Sequence, residues 1–182
     1  MKAAITIIVT DSLKNRIDAV IFDMDGLLID TESVGMAQCI RACATLGFTF
    51  TKEMYIKIIG VTKKDSEVIV MEMLGDSFPL DDFDRIFREY REDYYAENAV
   101  KTMPGAYELL DVLDGVSSIK KALATSTYEQ LAEKRLKSAE LHGRFDACVF
   151  GDMIQNGKPA PDIFLKAAEM LDRKSTRLNF SH

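Results

Sequence analysis

At 182 residues with a formal charge of −6, the chain can form one domain with an insertion, and its charge is the wrong sign for nucleic acid or an anionic membrane as partner. The composition, 47% apolar and 29% charged, is that of a globular protein, and no apolar run approaches a bilayer span. Neither fact argues against a small phosphate ester, which a local cluster of cations can meet. Ala3 to Val9 is apolar but is preceded by one basic residue and followed by no small-residue cleavage pattern, so it does not read as a signal peptide. Its alternation at Ala3, Ile5, Ile7 and Val9 suggests a strand. Cys39, Cys43 and Cys148 form no Cys-x-x-Cys and cannot all pair, which fits reduced thiols in the cytoplasm.

Ala19 to Phe22 is too short for a helix and too apolar for a surface strand, so it reads as a strand buried on both faces. Ser33 to Leu46 then reads as a helix closed by Gly47, followed by helical stretches Lys52 to Ile59, Lys63 to Leu74 and Asp81 to Ala96. In the last, Phe83, Phe87, Tyr90 and Tyr94 form one stripe, expected to be core. With no strand between 33 and 97, that block is an inserted all-helical domain.

The α/β pattern resumes with a helix opened by Pro104-Gly105, a strand Ile119 to Ala124, a helix Tyr128 to Ala139, a strand Ala147 to Phe150 and a helix Pro161 to Leu171. Strand and helix in alternation give the fold class: α/β, a Rossmann-like doubly wound parallel sheet carrying the helical insertion. The expected division is 1–32 and 98–172 for the α/β core, 33–97 for the insertion and 173–182 for an irregular polar tail.

The first strand delivers Asp23-Met24-Asp25-Gly26, two carboxylates pointing one way at a strand's C-terminal end, where open α/β sheets bind ligands. As isolated residues they are also ordinary turn chemistry. Two like charges held together need a shared cation or proton, and oxygen-only ligation favours magnesium, so Asp23 and Asp25 are the candidate metal ligands. The second strand ends in Thr125-Ser126-Thr127, hydroxyls and backbone amides suited to phosphate oxygens, or to a helix cap. The third is followed by Gly157-Lys158-Pro159-Ala160-Pro161-Asp162, in which prolines restrict the backbone that presents a lysine.

The run Asp23-Met24-Asp25-Gly26-Leu27-Leu28-Ile29-Asp30-Thr31-Glu32 resembles motif I of the haloacid dehalogenase superfamily of phosphohydrolases, in its β-phosphoglucomutase-like and sugar-phosphatase branch. Thr125 stands where the family has motif II, and the Gly-Lys-Pro run resembles motif III. The resemblance implies that the helical insertion is a cap over the acidic site, and that Asp23 is a nucleophile and Asp25 an acid and base. It implies that Thr125 holds a phosphoryl oxygen, that Lys158 neutralises charge and that Mg2+ is the cofactor. Ser126 and Gly26 belong to the implied phosphate-binding set. On the insertion, Gly60 to Ser66 resembles the branch's substrate segment, which makes Lys63 a candidate contact in place of the usual arginine; Glu32 is another.

The resemblance covers about residues 17–171 and stops before the family's fourth, acidic motif. Its absence predicts an exposed edge on the first strand, which Ala3 to Val9 could cover. Three functions follow. The first is a magnesium-dependent phosphatase or phosphomutase on a small phosphate ester, probed by its dependence on Asp23. The second is an inactive fragment of one. The third is a phospho-accepting receiver-type domain, which the long insertion argues against. Neither the ester nor the oligomeric state follows from the residues.

Overall fold

A computed structural model describes residues 17–61 and 63–178, the last six as backbone alone. The described residues fall into two compact units: an α/β unit, up to Asp30 and again from Val100, and a helical unit, Thr31–Ala99. Thr31 and Glu32, expected in the α/β part, instead open the first helix.

The α/β unit is built on three parallel strands, β1 (Ala19–Phe22), β2 (Lys120–Ala124) and β3 (Ala147–Val149), in the order β1-β2-β3. Phe22 lies opposite Leu123, and Ala124 opposite Val149. Alternation along the strands sends Ile21, Ala122, Ala124, Ala147 and Val149 to one face, where they pack on Ile163, Ala167 and Leu171. Val20, Phe22 and Leu123 point the other way and are also buried, so both faces of the sheet are covered, as parallel strands require. Among the described residues β1 pairs only with β2 and is therefore an edge. The expected strand Ala3 to Val9 lies outside the described residues.

The helical unit contains α1 (Thr31–Thr45), α2 (Lys52–Ile58), α3 (Lys63–Leu74) and α4 (Leu80–Glu97). Gly47, at φ 82°, closes α1: its N–H bonds Ala44 O at 3.0 Å and the Phe48 N–H bonds Cys43 O at 2.9 Å, the two bonds of a left-handed helix stop. The core joins Cys39, Ala42 and Cys43 of α1 to Phe50, Val70, Phe78 and Phe83. Phe78 bridges Phe48 at 5.0 Å and Phe83 at 5.4 Å, and Phe83 stacks on Phe87. The expected stripe is thus core at Phe83 and its margin at Phe87 and Tyr90, and the expectation is corrected at Tyr94, which lies outside that cluster, edge-on to Tyr95 at 5.5 Å. All three cysteines are free thiols.

Returning to the α/β unit, α5 (Ala106–Asp114) and α6 (Glu129–Ser138) flank β2, and α7 (Asp162–Leu178) packs across all three strands. The irregular tail expected from residue 173 is corrected as far as Leu178, which is still helical. The apolar stripe ends at Leu171, but 173–178 contain no glycine or proline. Loss of a packing face does not by itself end a helix of good formers. Among the described residues no helix is long and apolar enough to cross a membrane.

Ile163 is fully buried between α7 and the sheet. Ile163→Ala is therefore expected to lower the unfolding free energy by about 2–5 kcal/mol, read from urea unfolding at unchanged m-value.

Candidate active site

The site begins where β1 runs out. Beyond Phe22 the backbone closes on itself: the N–H groups of Leu28 and Ile29 both bond Met24 O, at 3.0 and 3.1 Å, and Gly26 N–H bonds Ile29 O at 2.9 Å. Gly26, at φ 74°, supplies the left-handed residue that this turn requires. Met24, Leu28 and Ile29 are buried beneath it, which leaves Asp23 and Asp25 partly exposed. Bonds from Met103 N–H to Leu28 O and from Asp30 N–H to Lys101 O tie the turn to the returning chain.

Each acid has its own cation. Lys158 Nζ is 2.8 Å from Asp23 Oδ1 and donates a second bond to Ala124 O, 3.1 Å away at the end of β2. The Phe164 ring lies 5.1 Å from the same amine, an apolar backing that leaves it facing the acid. Arg135, on α6, places Nη1 2.9 Å from Asp25 Oδ1 and is itself 5% exposed. The other Asp25 oxygen accepts from the hydroxyls of Thr127, at 2.7 Å, and Thr125, at 3.2 Å.

The loop after β2 holds these hydroxyls in place. Thr125 is fully buried, its N–H bonds Val149 O at 3.0 Å, and its Oγ1 accepts from Thr127 N–H at 3.1 Å. Ser126 is exposed, with its carbonyl against Gly151, the residue at which the chain leaves β3. A bond from Gly151 N–H to Thr127 O fixes the two loops together.

The structure thus brings Asp23, Asp25, Gly26, Thr125 and Lys158 together at the C-terminal ends of β1 and β2, with Ser126 beside them. It does not aim both acids at one cation. The Asp25 carboxylate is committed to Arg135 and two threonines, whereas Asp23 Oδ2 is uncommitted among the described residues. Those residues also hold no group of three or more acidic, histidine or cysteine side chains able to bind a metal. Asp152 and Asp162 serve the backbone and a neighbour: Asp152 accepts from Glu129 N–H at 3.1 Å and Asp162 from Asn156 at 2.9 Å.

Lys63 and Glu32 belong to the helical unit. Lys63 pairs with Asp84 at 2.6 Å and Glu67 at 3.5 Å, which raises its amine above the usual lysine range. Glu32 accepts from the Tyr55 hydroxyl at 3.4 Å, and burial together with that carboxylate pushes the phenol up. Sequence reasoning missed Arg135 and Thr127. Arg135 had a signal, because it falls between Ala132 and Leu136 on the buried stripe of α6, where a cation needs a partner.

Comparisons with known proteins identify the family. A family described as haloacid dehalogenase-like hydrolase matches residues 20–179. A phosphorylated carbohydrates phosphatase of Thermotoga maritima is 37% identical over 155 residues, 85% of this chain and 71% of that protein. The mitochondrial (DL)-glycerol-3-phosphatase 1 of Arabidopsis thaliana is 32% identical over 92% of this chain, which spans 57% of it. Among solved structures, a provisionally assigned β-phosphoglucomutase from Thermotoga maritima superposes with a TM-score of 0.68 at 37% identity, over 86% of this chain and 71% of that one. CbbY from Rhodobacter sphaeroides in complex with phosphate gives 0.64 at 26% identity, over 86% and 73%.

A Cβ on Gly151 would lie 2.2 Å from Ser126 O, backbone that cannot give way. Gly151→Ala is expected to cost about 1–3 kcal/mol and to speed amide exchange at Gly151, whose bond to Thr127 O must open.

Proposed function

The chain belongs to the haloacid dehalogenase-like hydrolases, and from that premise we propose that it transfers the phosphoryl group of a small phosphate ester, a phosphorylated carbohydrate, through an aspartyl-phosphate on Asp23. The observation that carries the reading is the Asp23–Lys158 pair at the end of β1, an exposed-edge carboxylate with a cation 2.8 Å away. One Asp23 oxygen is held by Lys158 and by the Met24 N–H, at 2.8 Å, which leaves Oδ2 to act.

In the first step Asp23 Oδ2 bonds to phosphorus as the bond from phosphorus to the ester oxygen breaks, and Asp25 gives that oxygen its proton. Water then attacks the phosphorus of the aspartyl-phosphate and yields a proton to Asp25, releasing phosphate and restoring both acids. A second sugar hydroxyl in place of water makes the same site a mutase. Lys158 offsets the negative charge gathered between nucleophile and phosphate, and the amides and hydroxyls after β2 orient its oxygens. Magnesium would be held by the Asp23 carboxylate together with water and the phosphate itself, a set of the kind this ion accepts. When bound it supplies further charge neutralisation between the two anions.

Lys63 and Glu32 are the proposed contacts to the sugar, as candidates on the helical unit. A small soluble ester, with no nucleic acid or membrane, is the proposed partner. The free cysteines support a reducing, cytoplasmic setting.

The test is phosphate release from nitrophenyl phosphate and a panel of sugar phosphates. Asp23→Asn is expected to lose at least about 1000-fold in turnover and Lys158→Ala about 100-fold. Chelation of divalent ions is expected to stop release, and added magnesium to restore it. Turnover that survives Asp23→Asn, or a folded chain that releases nothing from any ester, would sink the reading.

A further inference from the structure

We propose that Arg135 is a positioning residue for proton transfer: its bond to Asp25 Oδ1 fixes the plane and direction of the carboxylate that serves the leaving oxygen. This rests on the role given to Asp25 above. An aspartate carboxylate rotates over a broad, roughly two-fold torsion, so its orientation is set by the donors that reach its two oxygens. Thr127 and Thr125 donate to Oδ2 from the loop after β2. Arg135 reaches Oδ1, from a planar group carried on a helix and 5% exposed.

Anchoring α6 does not require this cation. Ala132, Leu136 and Ala139 already bury that face, and an apolar side chain of similar length would pack there without the cost of desolvating a guanidinium. Arg135 is also too enclosed to meet a substrate arriving from solvent. Its Nη1 is directed at the carboxylate whose orientation decides whether a proton reaches the ester oxygen.

The experiment compares wild type, Arg135→Met and Arg135→Lys on two esters. Nitrophenyl phosphate releases a phenolate that departs without a proton, whereas a hexose 6-phosphate must have its alkoxide protonated. In Arg135→Met, kcat/KM on the sugar phosphate, which reports the steps up to the aspartyl-phosphate, is expected to fall about 100-fold, with kcat/KM on the aryl ester within about three-fold, while the later hydrolysis slows alike for both. Arg135→Lys is expected to recover part of the loss, since an ammonium can reach one oxygen but holds no plane. Equal losses in kcat/KM on both esters, or no loss on either, would overturn the proposal. If Arg135→Met does not fold, Arg135→Gln takes its place in the same comparison. Wild-type chain inactive on both esters would count against the functional reading alone. Positioning is then decided by crystal structures of wild type and variant: an Asp25 carboxylate turned away from Thr125 and Thr127 supports it, and one unmoved refutes it.

Discussion

Two carboxylates two residues apart at the end of a buried strand repel each other, and the strand ends around them are arranged to relieve that repulsion. Each acid receives a separate cation from a separate part of the chain, Lys158 from the loop after β3 and Arg135 from α6. Because the two cations approach from different elements, the acids are held apart in function as well as in charge. Asp23 keeps one oxygen uncommitted among the described residues, and Asp25 has both of its oxygens engaged. One sequence motif thus yields two unlike carboxylates.

The sheet makes this possible by bringing three loops to one edge. β2, between β1 and β3, ends beside Asp25 and lends its last carbonyl, Ala124 O, to Lys158. α7 begins just past Lys158 and packs across every strand, so the lysine sits between a strand end and a helix start that share one core. Gly151 lets the chain leaving β3 pass against Ser126 closely enough for the two loops to bond. The apolar face of the sheet and the polar ends of its strands are therefore one structure, in which packing fixes where each charge can stand.

Much of this was legible in the residues. Ala19–Phe22 and Lys63–Leu74 appear where the apolar pattern and the flanking charges placed them. The fold class follows from the alternation of strand and helix, and membership in the hydrolase family from three short motifs in order. The receiver-type alternative falls with that membership. Less legible was the pairing of side chains. Asp25 was expected to share a cation with Asp23, because two residues apart on a strand face the same way. The turn that begins at Gly26 turns Asp25 toward β2, and proximity along the chain does not reveal it. Arg135 lies far from Asp25 in sequence, and nothing local says which acid a buried arginine will find. The helix through 173–178 was hidden for the opposite reason: pattern reports packing, and there the backbone persists after the pattern has ended.

The salt bridge between Asp25 and α6 has a consequence for how this sequence can change. A buried guanidinium that loses its carboxylate, or a carboxylate that loses its guanidinium, leaves one charge without its counterpart in a poorly hydrated place. Positions 25 and 135 are therefore tied to each other more tightly than either is to its neighbours along the chain. A change at one alters what the other must be paired with. The segment from Thr125 to Arg135 supplies every side-chain donor named to Asp25, so a graft of the loop into another member of the fold is expected to need the helix with it.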